Sequence, residues 1–311
     1  MNERNRYPYG ASTWTHHTPY QEKPRPGVYC PYYDYEPFPG WQVVILINSQ
    51  QNADPYQGSF EPNELCKIIK NFQECGYNVL LDGAEPLAKP DFLKAFKEAD
   101  QKILTTNGMA ICERPALIDE VREAGIETLG VYYHFEAQAI FSSVHLGLAK
   151  TALKLAENVG IRGRVMTTII RPNLEKIPDY CAWCVKEGFT EICFTNFIAQ
   201  DHYSRPEHNV ILSEDDRKRY YEIITEQRAK YPKEVLKILS SGTFGDCGSP
   251  HMYCTAMRES VVFTPDYKIY PCIHQISPGN ECGIYVNGHI FTKKNYPTAE
   301  HDCAALHLFN H

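Results

Sequence analysis

The chain is expected to fold as an α/β protein built on parallel βα units, and three observations predict this. Between residues 41 and 235, apolar runs of strand length alternate with longer amphipathic stretches. The short runs are β-branched and apolar on both faces, as strands buried in a parallel sheet are. Several amphipathic stretches close on glycine, at Gly76, Gly125, Gly160 and Gly188, where helix C-caps place it.

In chain order the expected strands are VVILI (43–47), NVLL (78–81), KILTT (102–106), TLGVYY (128–133), RVMTTII (164–170) and EICFTNF (191–197). Helices are expected between them at 61–75, 91–98, 115–124, 146–159 and 176–187. This pattern fits a curved half-barrel and a flat doubly wound sheet equally well. In either, ligands bind at the carboxyl ends of the strands. Ahead of this region, residues 1–40 are rich in Tyr, Pro and His and show neither period, which predicts an irregular arm. After a charged helix at 213–231, the segment 236–311 carries Cys247, Cys254, Cys272, Cys282 and Cys303 among many Gly, Pro and Tyr. It reads as a small irregular domain held by something other than a large core. The expected organisation is therefore 1–40 arm, 41–235 parallel βα body and 236–311 cysteine-rich domain.

The 311 residues suffice for one large domain, or one domain plus a small extension. Apolar content of 43% and mixed charge predict a folded soluble protein, and a net charge of −7 gives no basic footprint for nucleic acid. No apolar run approaches the ~18 residues of a membrane span. The N-terminal sequence lacks the apolar core of a signal peptide, so a cytoplasmic location is expected. There, twelve cysteines point to metal binding or ordinary buried thiols rather than to a disulfide framework.

Residues 78–92 read NVLLDGAEPLAKPDF: a strand, a small-residue turn with a carboxylate and a proline behind it, then a helix start. Thr105-Thr106-Asn107-Gly108 ends the next strand, LGLAKTALKLAENVGI leads into the fifth, and MTTIIRPNLEKIPDY follows from it. This ordered set, over about residues 41–235, resembles the radical S-adenosylmethionine (SAM) superfamily. The resemblance implies a partial (βα)6 barrel. It also implies SAM bound at Gly83, Ala84, Glu85, Pro86 and Asn107, with turn carbonyls and the glutamate beside the cofactor's amino group. Small residues let that backbone come close. Ala84 stands where the family has a second glycine. Apart from the resemblance, the same turn reads as a tight strand–helix connection with Glu85 as a local cap.

The stretch from Cys254 through TAMRESVVFTPDYKIYP to Cys272 is similar to the auxiliary-cluster segment of SPASM and twitch extensions, with Tyr267 where glycine is usual. It implies one 4Fe–4S cluster on Cys254, Cys272, Cys282 and Cys303, with Cys247 a weaker candidate. Thiolates are the soft ligands such a cluster needs. Zinc is the alternative metal, since four thiolates suit it too. Free buried thiols are the plain alternative.

One departure outweighs these agreements. Radical SAM chemistry needs a CxxxCxxC loop after the first strand, and here that strand runs into NSQQNADPYQG without a cysteine. Gln51, Pro55 and Gly58 fall at the ligand places. No other trio has the spacing, and Cys181 and Cys184 read as core-facing thiols of one helix. Arg162 and Arg164 read as solvated charge or as partners for an anion such as the SAM carboxylate. His16-His17 and Asp201-His202 read as solvated side chains. Tyr132-Tyr133-His134 stands where the family has a small polar residue and an aspartate, and reads as a remodelled pocket or as aromatic core.

The sequence thus predicts a radical SAM/SPASM-like protein without the SAM-cleaving loop: a degenerate partner of an active homologue, or a subunit that binds a peptide or small-molecule substrate. The alternatives are an active SAM-binding enzyme of peptide or small-molecule modification with an atypically ligated cluster, and a zinc-stapled binding protein.

Overall fold

A computed structural model describes residues 33–35, 41–49, 58–133, 146–197, 210–240, 260–286 and 289–293. They fall into two compact units. One draws on 1–84, 98–100 and 254–299, the other on 85–97, 101–253 and 300–311. No helix among the described residues is long and apolar enough to cross a membrane.

The first unit is a seven-stranded sheet in the order β1-β12-β11-β10-β9-β2-β3. Strands β2 (Gln42–Leu46) and β3 (Asn78–Asp82) run parallel, Gln42 opposite Asn78. On its other edge β2 pairs in parallel with β9 (Ser260–Phe263). Strands β10 (Lys268–Tyr270), β11 (Gly283–Val286), β12 (His289–Lys293) and β1 (Tyr33–Tyr35) continue antiparallel. Helix α1 (Pro62–Glu74) follows the helical period and buries Leu65, Ile68, Ile69 and Phe72. Phe72 lies 5.5 Å from Phe263 and 5.0 Å from Tyr285, ring centre to ring centre. The β9–β10 turn is Pro265-Asp266-Tyr267, and Tyr267 takes a left-handed backbone with φ of 61°. Its ring packs on Phe60 and Phe263, and its hydroxyl donates to Glu64. Side-chain packing thus offsets the ~1–2 kcal/mol that this conformation costs a non-glycine residue.

The second unit is a five-stranded, all-parallel sheet in the order β4-β5-β6-β7-β8. Its strands are β4 (Ile103–Thr106), β5 (Thr128–Tyr132), β6 (Arg162–Ile169), β7 (Glu191–Asn196) and β8 (Lys237–Ser240). The helices are α2 (Leu93–Glu98), α3 (Met109–Glu113), α4 (Leu117–Glu123), α5 (Leu146–Asn158), α6 (Ile177–Glu187) and α7 (Glu214–Lys230). Ser213 caps α7 by accepting from Asp216 N–H, and the Asp216 carboxylate accepts in return from Ser213 N–H.

All six expected strands form within two residues of their expected limits. The class is mixed α/β with a parallel sheet, as expected, while the first sheet mixes parallel and antiparallel pairs. The six strands do not share one hydrogen-bonded sheet among the described residues, because no ladder joins β3 to β4; β9 in addition fills the second edge of β2. Residues 236–311 also differ from an irregular domain. Their described part contributes β8 to one sheet and β9–β12 to the other.

Candidate functional site

The carboxyl ends of the parallel strands present two sets of groups, one in each unit. In the first unit, β2 runs on into Ile47-Asn48-Ser49 and β3 into Gly83-Ala84. Ile47 N–H donates to Asp82 O at 2.8 Å, and Ala84 N–H donates to Asn48 O at 3.4 Å. The two chain ends come so close that a Cβ on Gly83 would sit 2.5 Å from Asn48 Oδ1 and 3.1 Å from Ile47 Cγ1. Glycine is therefore required here by close approach. Ala84 is exposed.

The loop after β2 is tied at its base. Asn48 and Ser59 form an antiparallel bridge, and Phe60 N–H donates to Ile47 O at 3.0 Å. Ser49 N–H donates to Gly58 O at 2.9 Å, while Gly58 N–H donates to Ser49 Oγ at 3.1 Å. Gly58 has φ of 105°, so the position expected to match the third cysteine is a left-handed glycine in a backbone clasp. Gln51 and Pro55 lie outside the described residues. Nothing in this donor set fits a three-thiolate cluster.

In the second unit, Glu85 gathers donors from two turns. Its Oε1 accepts from Thr106 Oγ1 at 2.6 Å and from Leu87 N–H at 3.0 Å, and its Oε2 accepts from Asn107 N–H at 2.6 Å. Burial pushes the Glu85 carboxyl up from its ordinary value, against the lowering pull of these three hydrogen bonds. Pro86 is buried at the start of the 3-10 turn Pro86–Ala88, which Glu85 caps. Asn107 takes part through its backbone, and its side chain turns away to accept from Met109 N–H at 2.8 Å. Gly108, with φ of 81°, packs so that a Cβ would lie 3.0 Å from that of Ala152. The structure thus brings Glu85, Pro86 and Asn107 together. The local-cap role of Glu85 is realised in full, and it leaves a carboxylate clasped by neutral donors. Thr106 is the member that sequence reasoning passed over. It lay in the quoted TTNG stretch, but its hydroxyl finds Glu85 only through the fold.

The metal candidates divide. Cys254, Cys303 and the weaker Cys247 lie outside the described residues. Cys272 is half-buried and Cys282 is buried, its thiol donating to Ile269 O at 3.5 Å, which suits a protonated group. No three or more His, Cys, Asp or Glu side chains among the described residues stand close enough to hold a metal ion.

Other expected positions resolve as follows. Arg162 is exposed, as expected of solvated charge, whereas Arg164 is half-buried, and both pair with a carboxylate of the fold. Arg164 stands opposite Glu191 in register and binds its carboxylate at 2.8 Å, Arg162 does so at 3.2 Å, and Lys237 joins at 3.4 Å. These residues open β6, β7 and β8, so the cluster sits at the amino ends of the strands, away from any carboxyl-end site. Burial raises the Glu191 carboxyl, but the Arg164 hydrogen bond and the charges of Arg164, Lys237 and Arg162 outweigh it, and the net direction is down. Tyr133 is 6% exposed and stacks on Trp183 at 4.5 Å, so it belongs to aromatic core. Burial pushes its hydroxyl up to about 12. Cys181 and Cys184 are fully buried on α6, as expected of core thiols. His16, His17, His134, Asp201 and His202 lie outside the described residues.

No family model matches the chain, and no curated protein sequence matches it. Solved structures do. SuiB of Streptococcus suis bound to S-adenosylmethionine superposes with a TM-score of 0.62 at 15% identity, over 77% of this chain and 62% of that one. The chain thus spans about six-tenths of SuiB's length. Native anSMEcpe with bound AdoMet gives 0.60 at 14% identity, over 78% of this chain and 77% of that one. SuiB bound to the precursor peptide SuiA gives 0.59 at 16%, over 77% and 61%. These neighbours are radical SAM enzymes, and this chain is similar to them in fold.

Proposed function

We propose that this protein is a degenerate radical SAM/SPASM-like subunit that keeps the superfamily's scaffold and does not cleave SAM reductively at the usual place. One observation carries the reading. The loop after β2 has no thiolate and is clasped shut at Ser49 and Gly58, where a cluster-binding loop would present three sulfurs. Its role is to hold a peptide or small-molecule substrate, or to serve an active homologue as partner. A peptide is favoured because the fold neighbours SuiB and anSMEcpe were crystallised with peptides. The arrangement of six βα units as one partial barrel, and the 1–40, 41–235 and 236–311 organisation, belong to the same proposal.

The chemistry left to the chain is that of binding. In this reading the turn Gly83 to Pro86, with Asn107, receives the SAM amino group. Glu85 fixes the turn after β4 through Asn107 N–H, and it supplies negative charge suited to an ammonium. Cys254, Cys272, Cys282 and Cys303 would hold one auxiliary 4Fe–4S cluster, which supplies a one-electron carrier when bound. Zinc is the competing occupant of the same thiolates.

The test is iron, sulfide and zinc per chain on anaerobically purified protein, together with an assay for 5′-deoxyadenosine under reducing conditions. About four irons with matching sulfide and no 5′-deoxyadenosine are expected. About eight irons, or 5′-deoxyadenosine from the lone protein, would overturn the degenerate reading in favour of an enzyme with an atypically ligated cluster. Zinc without iron would leave a stapled binding protein.

A further inference from the structure

A pair of chemically reactive side chains lies outside everything described so far. Cys75 caps the C-terminus of α1, and its Sγ lies 3.5 Å from Nε2 of His289, the first residue of β12. The two are 214 residues apart in the chain, belong to the same unit and are both part-buried.

Two influences on the Cys75 thiol oppose each other. The helix end works against a thiolate, because the last carbonyls of α1 present the negative end of its dipole there. Cys75 N–H itself binds Asn71 O and Phe72 O, at 3.2 and 3.1 Å, so the residue is seated on that end. The last turn of α1 carries no basic side chain to offset it. The imidazole works the other way. Nε2 stands at hydrogen-bond distance from Sγ, where an imidazole can take up a thiol proton. β12 thus places an imidazole nitrogen beside a sulfur that no basic side chain of the last turn of α1 accompanies.

We propose that Cys75 is a modification site, a thiol activated by His289 toward small soft electrophiles. In the step, the S–H proton passes to His289 Nε2, and sulfur forms a bond to the electrophilic carbon. With iodoacetamide as the electrophile, the carbon–iodine bond breaks and iodide leaves with its electron pair. The imidazolium then returns its proton to water.

The test treats the full chain with iodoacetamide at neutral pH and follows each cysteine by peptide mass spectrometry. Cys66 and Cys112, also part-buried, are the internal references. Cys75 is expected to react about tenfold faster than either, and to fall to their level in H289Q. Equal or slower reaction of Cys75, or an unchanged rate in H289Q, would overturn the proposal. An unchanged urea-unfolding transition shows that the variant is folded. A second measurement needs no variant. Cys75 must react faster in the folded protein than in urea, and a slower folded rate sinks the proposal.

Discussion

Glu85 and Glu191 are two carboxylates of the same parallel sheet unit, set beside opposite ends of its strands. Glu191, at the amino ends of β6 to β8, faces three cations and is 3% exposed as a side chain. Glu85, beside the carboxyl end of β4, is met by a hydroxyl and two backbone N–H groups. Their carboxyls move in opposite directions, down for Glu191 and up for Glu85. A carboxylate hemmed by cations is neutralised in place and serves stability. A carboxylate held by a hydroxyl and two N–H groups is oriented by them, and at Glu85 the cost of burial outweighs their pull.

The largest effect expected from this contrast is at Glu191. E191Q leaves the Arg164 guanidinium, 15% exposed, without a carboxylate, and urea unfolding should show a loss of about 3 kcal/mol. A loss under ~1 kcal/mol would mean that water already serves these charges. E85Q comes next, at about 1–2 kcal/mol, because one oxygen becomes an NH2 facing a donor. The pH profiles of the two variants should then diverge. The lowered Glu191 carboxyl contributes stability above the unfolded value near 4.5 and loses it as pH falls through the folded value. The wild-type advantage over E191Q should therefore grow with pH. The raised Glu85 carboxyl contributes below that unfolded value and loses its contribution as pH rises through the folded one. The advantage over E85Q should shrink with pH. Parallel profiles would erase the distinction. G83A is expected to cost about 1–3 kcal/mol, since the new Cβ would crowd both Asn48 and Ile47, and a loss near zero would mean that the two chain ends can part.

Much of the second unit was legible before its structure, for a local reason. Strands such as RVMTTII and EICFTNF and helices such as LGLAKTALKLAEN carry their period within themselves. MAICE and KILS, which form α3 and β8, are too short to show one. What escaped depends on register. Arg164 and Glu191 are 27 positions apart, and only the β6–β7 ladder makes them opposites. Thr106 could be seen beside Asn107 and Gly108, but not its reach to Glu85. The shared sheet of β2 and β9 escaped most completely, since no local pattern announces a partner from the far end of the chain.

That shared sheet has a kinetic consequence. Asn71 on α1 meets the Tyr285 hydroxyl across 214 residues of chain, and β2 must wait for β9 before both its edges are filled. Loop closure on that scale is slow compared with the local pairing of β4 to β8. During synthesis β2 and β3 emerge well before β9, and until then the second edge of β2 stays open. Truncation before residue 260 would therefore do more than remove an accessory segment. It would leave the first-made strands permanently unfinished, and such a fragment should be found in aggregates or bound to chaperones.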